Sequence, residues 1–210
     1  MRPLVNLFPE QISAASVLRN GSILVGGVGS GKTRTSLAYF YEAVCGGSLA
    51  TNVLPTKPVH LYVITTARKR DSLDWVKEAA IFGITTEPMS DTHPWMTVDS
   101  WNNLQRYVKV PDQEVFFIFD EQRAIGRGAW SKTFVKIARK HGWIMLSATP
   151  GDRWSDYIPV FVANGFYKNR TAFEKRHVVY DRFAKFPKIS RYLEEPILDR
   201  LRDRVLVVMK

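Results

Sequence analysis

One glycine-rich stretch, Gly26-Gly-Val-Gly-Ser-Gly-Lys-Thr33, constrains the fold of this chain more than any other part of it. It fits the pattern G-x-x-x-x-G-K-[ST], in which glycines let successive backbone N–H groups curl around polyphosphate oxygens. An apolar run over residues 22–26 precedes the pattern, and apolar residues at helical spacing follow it to residue 44. Strand, glycine turn and helix therefore occur in the order that a phosphate-binding loop requires.

The residues of this loop, with one glutamine upstream, predict a site for ATP and Mg²⁺. Lys32 is expected to reach the β- and γ-phosphates, and Thr33 to place its hydroxyl on Mg²⁺. Gln11 lies one helix before the loop, and its amide can both donate to and accept from adenine. The other predicted nucleotide-binding residues are Gly26, Gly27, Gly29, Ser30 and Gly31.

A second motif joins an apolar run to two consecutive carboxylates. Residues 115–119 are all apolar, as in a central strand buried on both faces, and Asp120 and Glu121 follow. Burying two acidic groups there costs free energy unless a cation lies nearby. Mg·ATP bound on the phosphate loop provides that cation. Asp120 is predicted to hold Mg²⁺ through its water shell, and Glu121 to deprotonate the attacking water. With Lys32, they form the predicted catalytic set.

Two other predicted strands end in hydroxyl or basic side chains. The strand over 59–65 leads into Thr66 and Arg68, which either grip a phosphate chain or begin an exposed helix over 71–81. The strand over 143–146 leads into Ser147 and Thr149. These residues are expected beyond the carboxyl ends of parallel strands, where ligands of open α/β sheets bind.

Between these motifs the sequence predicts short strands at 84–89 and 95–98, followed by a short helix. Trp95 and Trp101 flank the second of these strands. Their indole rings are able to stack on bases, but aromatic residues near strand ends more often pack in a core. The pattern therefore favours core positions for both.

Composition limits the partners and the compartment. The net charge of +10 is compatible either with nucleic acid or with a solvated basic face. Residues 168–210 carry 12 Lys and Arg against 6 Asp and Glu. One cysteine, Cys45, excludes an internal disulfide framework, and its apolar neighbours indicate a core residue. Neither a long apolar span nor a signal peptide is evident, so the expectation is a cytoplasmic protein without a membrane partner.

Taken in order, these segments resemble the successive motifs of the first RecA-like domain of superfamily-two helicases. The branch that they most resemble is the Swi/Snf-type DNA translocases, phage-encoded forms included, over roughly residues 7–155. The resemblance implies an α/β fold: a three-layer RecA-like P-loop domain with a mainly parallel central sheet flanked by helices. The matching segments are Gln11, 26–33, 65–68, 97–101, 120–123 and 147–149.

The resemblance also implies an ATPase that moves on nucleic acid, with double-stranded DNA favoured and RNA not excluded. Segments that contact the nucleic-acid backbone would contain Thr66, Arg68, Ser100 and Trp101. Ser147 and Thr149 would link hydrolysis to movement. The acidic motif departs from the family, because the range 122–123 is Gln-Arg rather than a small residue followed by Asp or His.

The expected organisation is a RecA-like ATP-binding domain over 1–155 and a basic helical extension over 156–210. Helicases of this class resemble a pair of RecA-like domains, the second of which supplies arginine fingers. No Q-x-x-R-x-G-R pattern follows residue 155. A second domain, on another chain or on a missing part of this one, is therefore expected, and the chain alone should hydrolyse ATP poorly.

Two alternatives to the helicase interpretation remain. A terminase-like DNA-packaging ATPase also has a phosphate loop, an Asp-Glu pair and a downstream coupling motif. A non-hydrolysing, nucleotide-dependent DNA-binding module would need only the nucleotide site and the basic surface.

Overall fold

A parallel β-sheet organises the computed structural model, which describes residues 5–91, 93–111, 114–120 and 128–209. The strands of these residues are β1 Ile23–Val25, β2 His60–Thr65, β3 Trp95–Ser100, β4 Val115–Asp120, β5 Gly142–Ser147, β6 Val178–Tyr180, β7 Ile189–Tyr192 and β8 Leu206–Val208. The central sheet has the order β3-β2-β4-β5-β1-β8, and each neighbouring pair in it is parallel. A separate antiparallel hairpin contains β6 and β7.

Helices cover both faces of the central sheet. They are α1 Pro9–Val17, α2 Lys32–Tyr39, α3 Ala67–Asp71, α4 Asp74–Ile81, α5 Ala129–Ala138, α6 Trp154–Ala163, α7 Arg170–His177 and α8 Glu195–Val205. A π-helical turn, Phe40–Val44, extends α2, and a 3₁₀ helix, Trp101–Lys109, follows β3. The predicted α/β fold with three layers is confirmed.

Two details differ from the sequence-based expectation. The helix predicted over 71–81 begins later, as α4 at Asp74, because Leu73 before it has a left-handed backbone with φ +59°, and the separate short helix α3 occupies 67–71. The strand predicted over 84–89 is wrong: only Thr85 makes an isolated bridge, to Trp95. Trp95 instead begins β3, where its ring stacks on His60 with centroids 4.7 Å apart.

Alternation along the central strands divides the core into two layers. One face of the sheet, with Leu24 and Ile118 among its buried residues, packs against α1, α2 and α4. The opposite face, with Ile23 and Phe119, packs against the 3₁₀ helix and α5 to α8. Strand β4 is buried along almost its whole length because it lies in the middle of the sheet with helices above and below.

Aromatic rings fill the second layer. Phe119 of β4 meets Phe134 of α5 edge to face, with centroids 4.9 Å apart, and Phe134 meets Trp143 of β5 in the same way at 5.0 Å. Such pairs add stabilisation beyond their buried area. Trp101 is buried beside Phe119 at 5.6 Å, so the core position predicted for it is confirmed, as is that of Cys45.

Residues 156–208 contribute to this same core and to the same sheet. Strand β8 pairs with β1 in parallel over its three residues, and Met209 N donates to Val25 O at 2.8 Å. Buried residues of α6, α7 and α8 belong to the layer that covers Phe119. The expected division at residue 155 therefore does not coincide with a boundary between hydrophobic cores.

The connections of β1 and β5 define a crevice at the carboxyl edge of the sheet. These neighbouring strands leave the sheet in opposite directions, β1 towards α2 on one face and β5 towards α6 on the other. Open α/β sheets bind their ligands at such switch points. The glycine-rich stretch 26–31 follows β1, so the fold puts it in this crevice.

Across the described ranges, no helix has both the length and the apolar character needed to cross a membrane.

The shared core generates a prediction for Phe161 of α6, whose fully buried ring lies 5.8 Å from that of Tyr157 and 5.9 Å from that of Phe166. Phe161→Ala is expected to lower the free energy of unfolding by about 3–5 kcal/mol, because it leaves a cavity. Urea unfolding followed by far-ultraviolet circular dichroism measures it. One transition, shifted as a whole, is expected.

Phe183→Ala serves as the matched control, since that ring is exposed and its removal should leave the transition in place. Two separate transitions, with only one of them moved by Phe161→Ala, would contradict the shared core.

Candidate functional site

The phosphate loop depends on two glycines with left-handed backbone. Gly29 has φ +77° and Gly31 has φ +84°, and Gly31 caps the start of α2. A Cβ at Gly31 would also overlap Nε2 of Gln11. Gly31 is therefore required both for the turn and for the close approach of α1.

Lys32 is held over the loop that precedes it. Its Nζ donates to the backbone oxygens of Gly26 at 2.5 Å and Gly27 at 2.6 Å. The rim of the loop is open to solvent, and the side chain of Val28 is 99% exposed. The ammonium group thus lies at an accessible concave surface, where it can turn from the loop carbonyls to an anionic ligand.

Gln11 connects α1 to the phosphate loop. The residue is buried, its Oε1 accepts from the backbone N–H of Phe8 at 2.9 Å, and its Nε2 faces Gly31. These contacts fix the amide beside the loop, and the role predicted for it on adenine stays a prediction.

Asp120 lies at the end of β4 with only 3% of its surface exposed. Its Oδ2 accepts from Thr65 Oγ1 at 2.8 Å, from Trp75 Nε1 at 3.1 Å and from Lys69 Nζ at 3.2 Å. Two neutral donors and one cation thereby stabilise a carboxylate that burial would otherwise penalise. Oδ1 lies 3.5 Å from Lys69 Nζ, and it keeps the capacity to accept a further hydrogen bond, such as one from metal-bound water.

Sequence reasoning missed Thr65, Lys69 and Trp75 as partners of Asp120. Thr65 is opposite the end of β4 in the neighbouring strand, a relation that needs the strand order. Trp75 is on α4, and its apolar helical spacing indicates a core residue rather than a hydrogen-bond donor. A threonine at the end of an apolar strand was the only available signal.

Ser147 ends β5 between the phosphate loop and Asp120. Its backbone oxygen accepts from Gly26 N at 3.2 Å, and its Oγ accepts from Thr149 N at 3.1 Å. Ser147 is buried and Thr149 is exposed. The segment therefore touches the base of the loop directly, although its coupling role stays a prediction.

The residues predicted near nucleic acid fall into two groups. Thr66 begins α3, where its Oγ1 accepts from Lys69 N at 3.3 Å, and Arg68 is exposed. Ser100 and Trp101 are each only 2% exposed, and Trp101 Nε1 donates to the backbone oxygen of Asp120 at 3.0 Å. Burial leaves these two side chains little exposed surface, and the contact predicted for their segment stays a prediction.

The neighbouring Asp99 anchors this segment. Burial by itself would raise the pKa of Asp99, but hydrogen bonds from Asn103, Tyr107 and the backbone N–H of Ser100 hold it below its usual value. Arg70 of α3 also lies 3.6 Å from this carboxylate. The interactions join α3 to the start of the 3₁₀ helix.

The donor chemistry at the crevice fits Mg²⁺ together with a polyphosphate. Thr33 and Asp120 offer the oxygen ligands that Mg²⁺ prefers. Ser30 Oγ is buried and, among the described residues, has no hydrogen-bond partner, so the loop retains a polar group for a ligand. Glu121, Gln122 and Arg123 lie outside the described residues, and the assignment of Glu121 as base stays a prediction.

No family model matches the chain, and no curated protein sequence matches it. Among solved structures, it is similar to the SWI2/SNF2 ATPase core of Sulfolobus solfataricus in complex with double-stranded DNA, with a TM-score of 0.65 and 16% identity over 99% of this chain. The chain spans 45% of that protein's length. The UvsW helicase of bacteriophage T4 matches with a TM-score of 0.49 and 14% identity, over 76% of this chain and 57% of that one. The first likeness confirms the expected α/β RecA-like fold, with its parallel central sheet flanked by helices.

The two constraints on Gly31 generate a stability prediction. Gly31→Ala is expected to destabilise the nucleotide-free protein by about 1–3 kcal/mol, because alanine is strained at this φ and meets Gln11. Thermal unfolding measures the change. Gly27→Ala is the matched control, since Gly27 lies outside the left-handed region and a Cβ there meets nothing within 4 Å.

Adding Gln11→Ala should recover part of the loss in Gly31→Ala by removing the overlap but not the backbone strain. Equal stability of Gly31→Ala and Gly27→Ala would contradict the close packing of α1 against the loop.

The environment of Asp120 generates a second prediction. Trp75→Phe keeps the aromatic ring but removes the N–H that donates to Asp120, so we expect a loss of about 1–3 kcal/mol in the free energy of unfolding. Urea denaturation measures it. In an Asp120→Asn background the same substitution should cost less, since the charged acceptor is gone. Equal costs in both backgrounds would show that Trp75 acts through packing alone.

Proposed function

We propose that this chain is the ATP-binding RecA-like domain of a nucleic-acid-dependent ATPase of the helicase or DNA-translocase type. The observation that carries the proposal is the convergence of the phosphate loop, Ser147 and Asp120 at the carboxyl ends of β1, β5 and β4. These three strands are consecutive in the sheet. Such an edge brings together the hydrogen-bond donors of the phosphate loop and a metal-binding carboxylate. Between them lies β5, which pairs with both β1 and β4.

The nucleotide is held by groups that already converge on the loop. The backbone N–H groups of the loop and the N-terminus of α2 bind the phosphates, and Lys32 moves from the carbonyls of Gly26 and Gly27 to the β- and γ-phosphates. Thr33 and Asp120 hold Mg²⁺, which when bound neutralises phosphate charge. Gln11 selects adenine from its position beside Gly31.

Lys69 has a separate part in this scheme. Its ammonium group lies 3.2 Å from Asp120, and it belongs to the segment 65–70 that we assign to nucleic-acid contact together with Thr66 and Arg68. Because Lys69 is then shared between the carboxylate of Asp120 and a nucleic-acid phosphate, binding at the nucleotide site and binding of nucleic acid affect each other.

Efficient turnover needs a second surface over the open phosphate loop. The exposed rim around Val28 leaves a bound nucleotide open to water on one side. We assign the closing surface to a second RecA-like domain, on this protein or on another, that contributes an arginine to the γ-phosphate. An arginine finger contributes about 10³–10⁵ in rate, so hydrolysis by this domain alone is weak.

Double-stranded DNA is the favoured partner. The net charge of +10 supplies the cations that neutralise phosphates, and Arg68 is exposed at the carboxyl edge. DNA packaging and nucleotide-dependent binding without turnover use the same nucleotide site, and they are separated by the outcomes below.

The test combines nucleotide binding with turnover. Lys32→Ala is expected to abolish binding of a fluorescent ATP analogue, because the ammonium group that meets the β- and γ-phosphates is removed. Glu121→Gln should leave binding intact and remove turnover, as expected for loss of the base. Phosphate release is measured with single-stranded DNA, double-stranded DNA and no DNA, with and without candidate second-domain proteins.

Each class of function predicts a different pattern. Stimulation by double-stranded DNA, increased by a second domain, supports the translocase. Binding without turnover under all conditions supports the regulatory module, and turnover only in the presence of packaging components supports the packaging ATPase. Unchanged ATP affinity in Lys32→Ala would contradict the assignment of the loop, and brisk DNA-stimulated turnover by this chain alone would contradict the need for a second domain.

A further inference from the structure

Two phenylalanine rings project into solvent from the hairpin formed by β6 and β7. Phe183 is 98% exposed and Phe186 is 73% exposed, and both belong to the connection 181–188 between the strands. Exposed aromatic rings of this size, grouped on one loop, mark an interaction site more often than a random surface position. The nucleotide site does not account for them.

Four cations lie in the same short segment of the chain as these rings. Arg182, Lys185, Lys188 and Arg191 are all exposed, and Lys185 Nζ lies 5.9 Å from the centroid of the Phe186 ring. Against them, the segment 178–193 contains a single acidic residue, Asp181, whose carboxylate accepts from Phe183 N at 2.9 Å. Exposed aromatic rings close to cations in the chain have the chemistry to bind a polyanion that also carries flat aromatic rings, by stacking and by charge.

The base of the hairpin is held firmly while its tip projects. His177, fully buried at the end of α7 directly before β6, has ring nitrogens 2.7 Å from Tyr167 Oη and 3.0 Å from the backbone oxygen of Leu193. Arg176 donates to Glu194 at 2.7 Å. A rigid base lets the tip present its rings with little loss of conformational entropy on binding.

The hairpin borders a groove at the loop that follows β5. Its volume is about 960 Å³, and its walls include Arg153, Arg170, Tyr180, Lys188 and Tyr192. Ser155 N, in the first turn of α6, donates to the hydroxyl of Tyr192 at 3.2 Å. The groove is thus bounded in part by the start of α6, the helix that follows the segment Ser147–Thr149 along the chain.

We propose that the β6–β7 hairpin binds unpaired bases of a nucleic acid, with Phe183 and Phe186 stacking on the bases and the surrounding cations contacting the backbone. This inference rests on the proposed function and extends it to a second contact surface. A duplex offers only its backbone to the hairpin, whereas a single strand or an opened junction offers base faces as well. A nucleic acid is favoured over a protein partner because the segment 178–193 carries four exposed cations and a single acidic residue beside its aromatic rings.

The experiment measures binding of the full chain to two labelled probes, an oligothymidylate about 16 nucleotides long and a duplex of the same length. The variant Phe183→Ala/Phe186→Ala should weaken binding of the single strand by about tenfold or more and leave duplex binding unchanged, because stacking needs free base faces. Met89→Ala, which removes another exposed apolar side chain, is the matched control.

The cations are tested through salt dependence. The variant Lys185→Gln/Lys188→Gln/Arg191→Gln should reduce the slope of log Kobs against log salt by about 0.7 for each single-strand phosphate that the substituted side chains no longer neutralise. Lys77→Gln, on α4 and away from the hairpin, should leave the slope unchanged. Thermal unfolding of all variants should match that of the unmodified protein, since the substituted side chains are exposed.

The outcomes separate the two proposals. Normal binding of both probes by the ring variant would overturn the role of the hairpin while leaving the nucleic-acid function standing, and disappearance of a self-associated form in that variant would then assign the rings to an interface between copies. An equal reduction on both probes would overturn base stacking. Absence of binding to either probe by the unmodified protein would overturn both proposals.

Discussion

The buried carboxylate of Asp120 is the constraint on which the site depends. A parallel strand covered on both faces delivers this side chain to the carboxyl edge, where it has little access to water. An ion in that position is tolerated only with hydrogen bonds and a nearby positive charge. Three side chains from three elements meet this requirement: Thr65 of β2, Trp75 of α4 and Lys69 of α3. The arrangement of these elements around the strand end is therefore linked to the charge of Asp120.

The phosphate loop is constrained in a complementary way, by space rather than by charge. Gly31 leaves room for Gln11, and the backbone of Gly26 is tied to that of Ser147 in the adjacent strand. The loop is therefore fixed at both ends while its rim is open. This arrangement keeps the binding groups pre-organised, which lowers the entropic cost of binding a polyphosphate.

The sequence was sufficient to predict the fold class, through the family resemblance of its ordered motifs, and the strands that lead into the loop and into Asp120, through the apolar runs before them. It was not sufficient for interactions that depend on strand order. Trp75 is 45 residues from Asp120 along the chain, and its N–H meets the carboxylate only because β2 and β4 are neighbours. The buried position of Trp101 followed from its pattern, whereas the assignment of its segment to nucleic-acid contact came from family resemblance and stays a prediction.

The segment after residue 155 shows how one stretch of chain serves two purposes. Helices α6 to α8 and strand β8 complete the core and the sheet, so they are needed for stability. The hairpin inserted between α7 and α8 contributes little to that core, because its connecting residues face solvent. The hairpin is nevertheless tied to the first turn of α6 by the hydrogen bond from Ser155 N to the hydroxyl of Tyr192, and α6 follows Ser147 and Thr149 along the chain. A surface that is free of packing constraints and fixed at its base in this way is suited to bind a ligand that the core cannot accommodate.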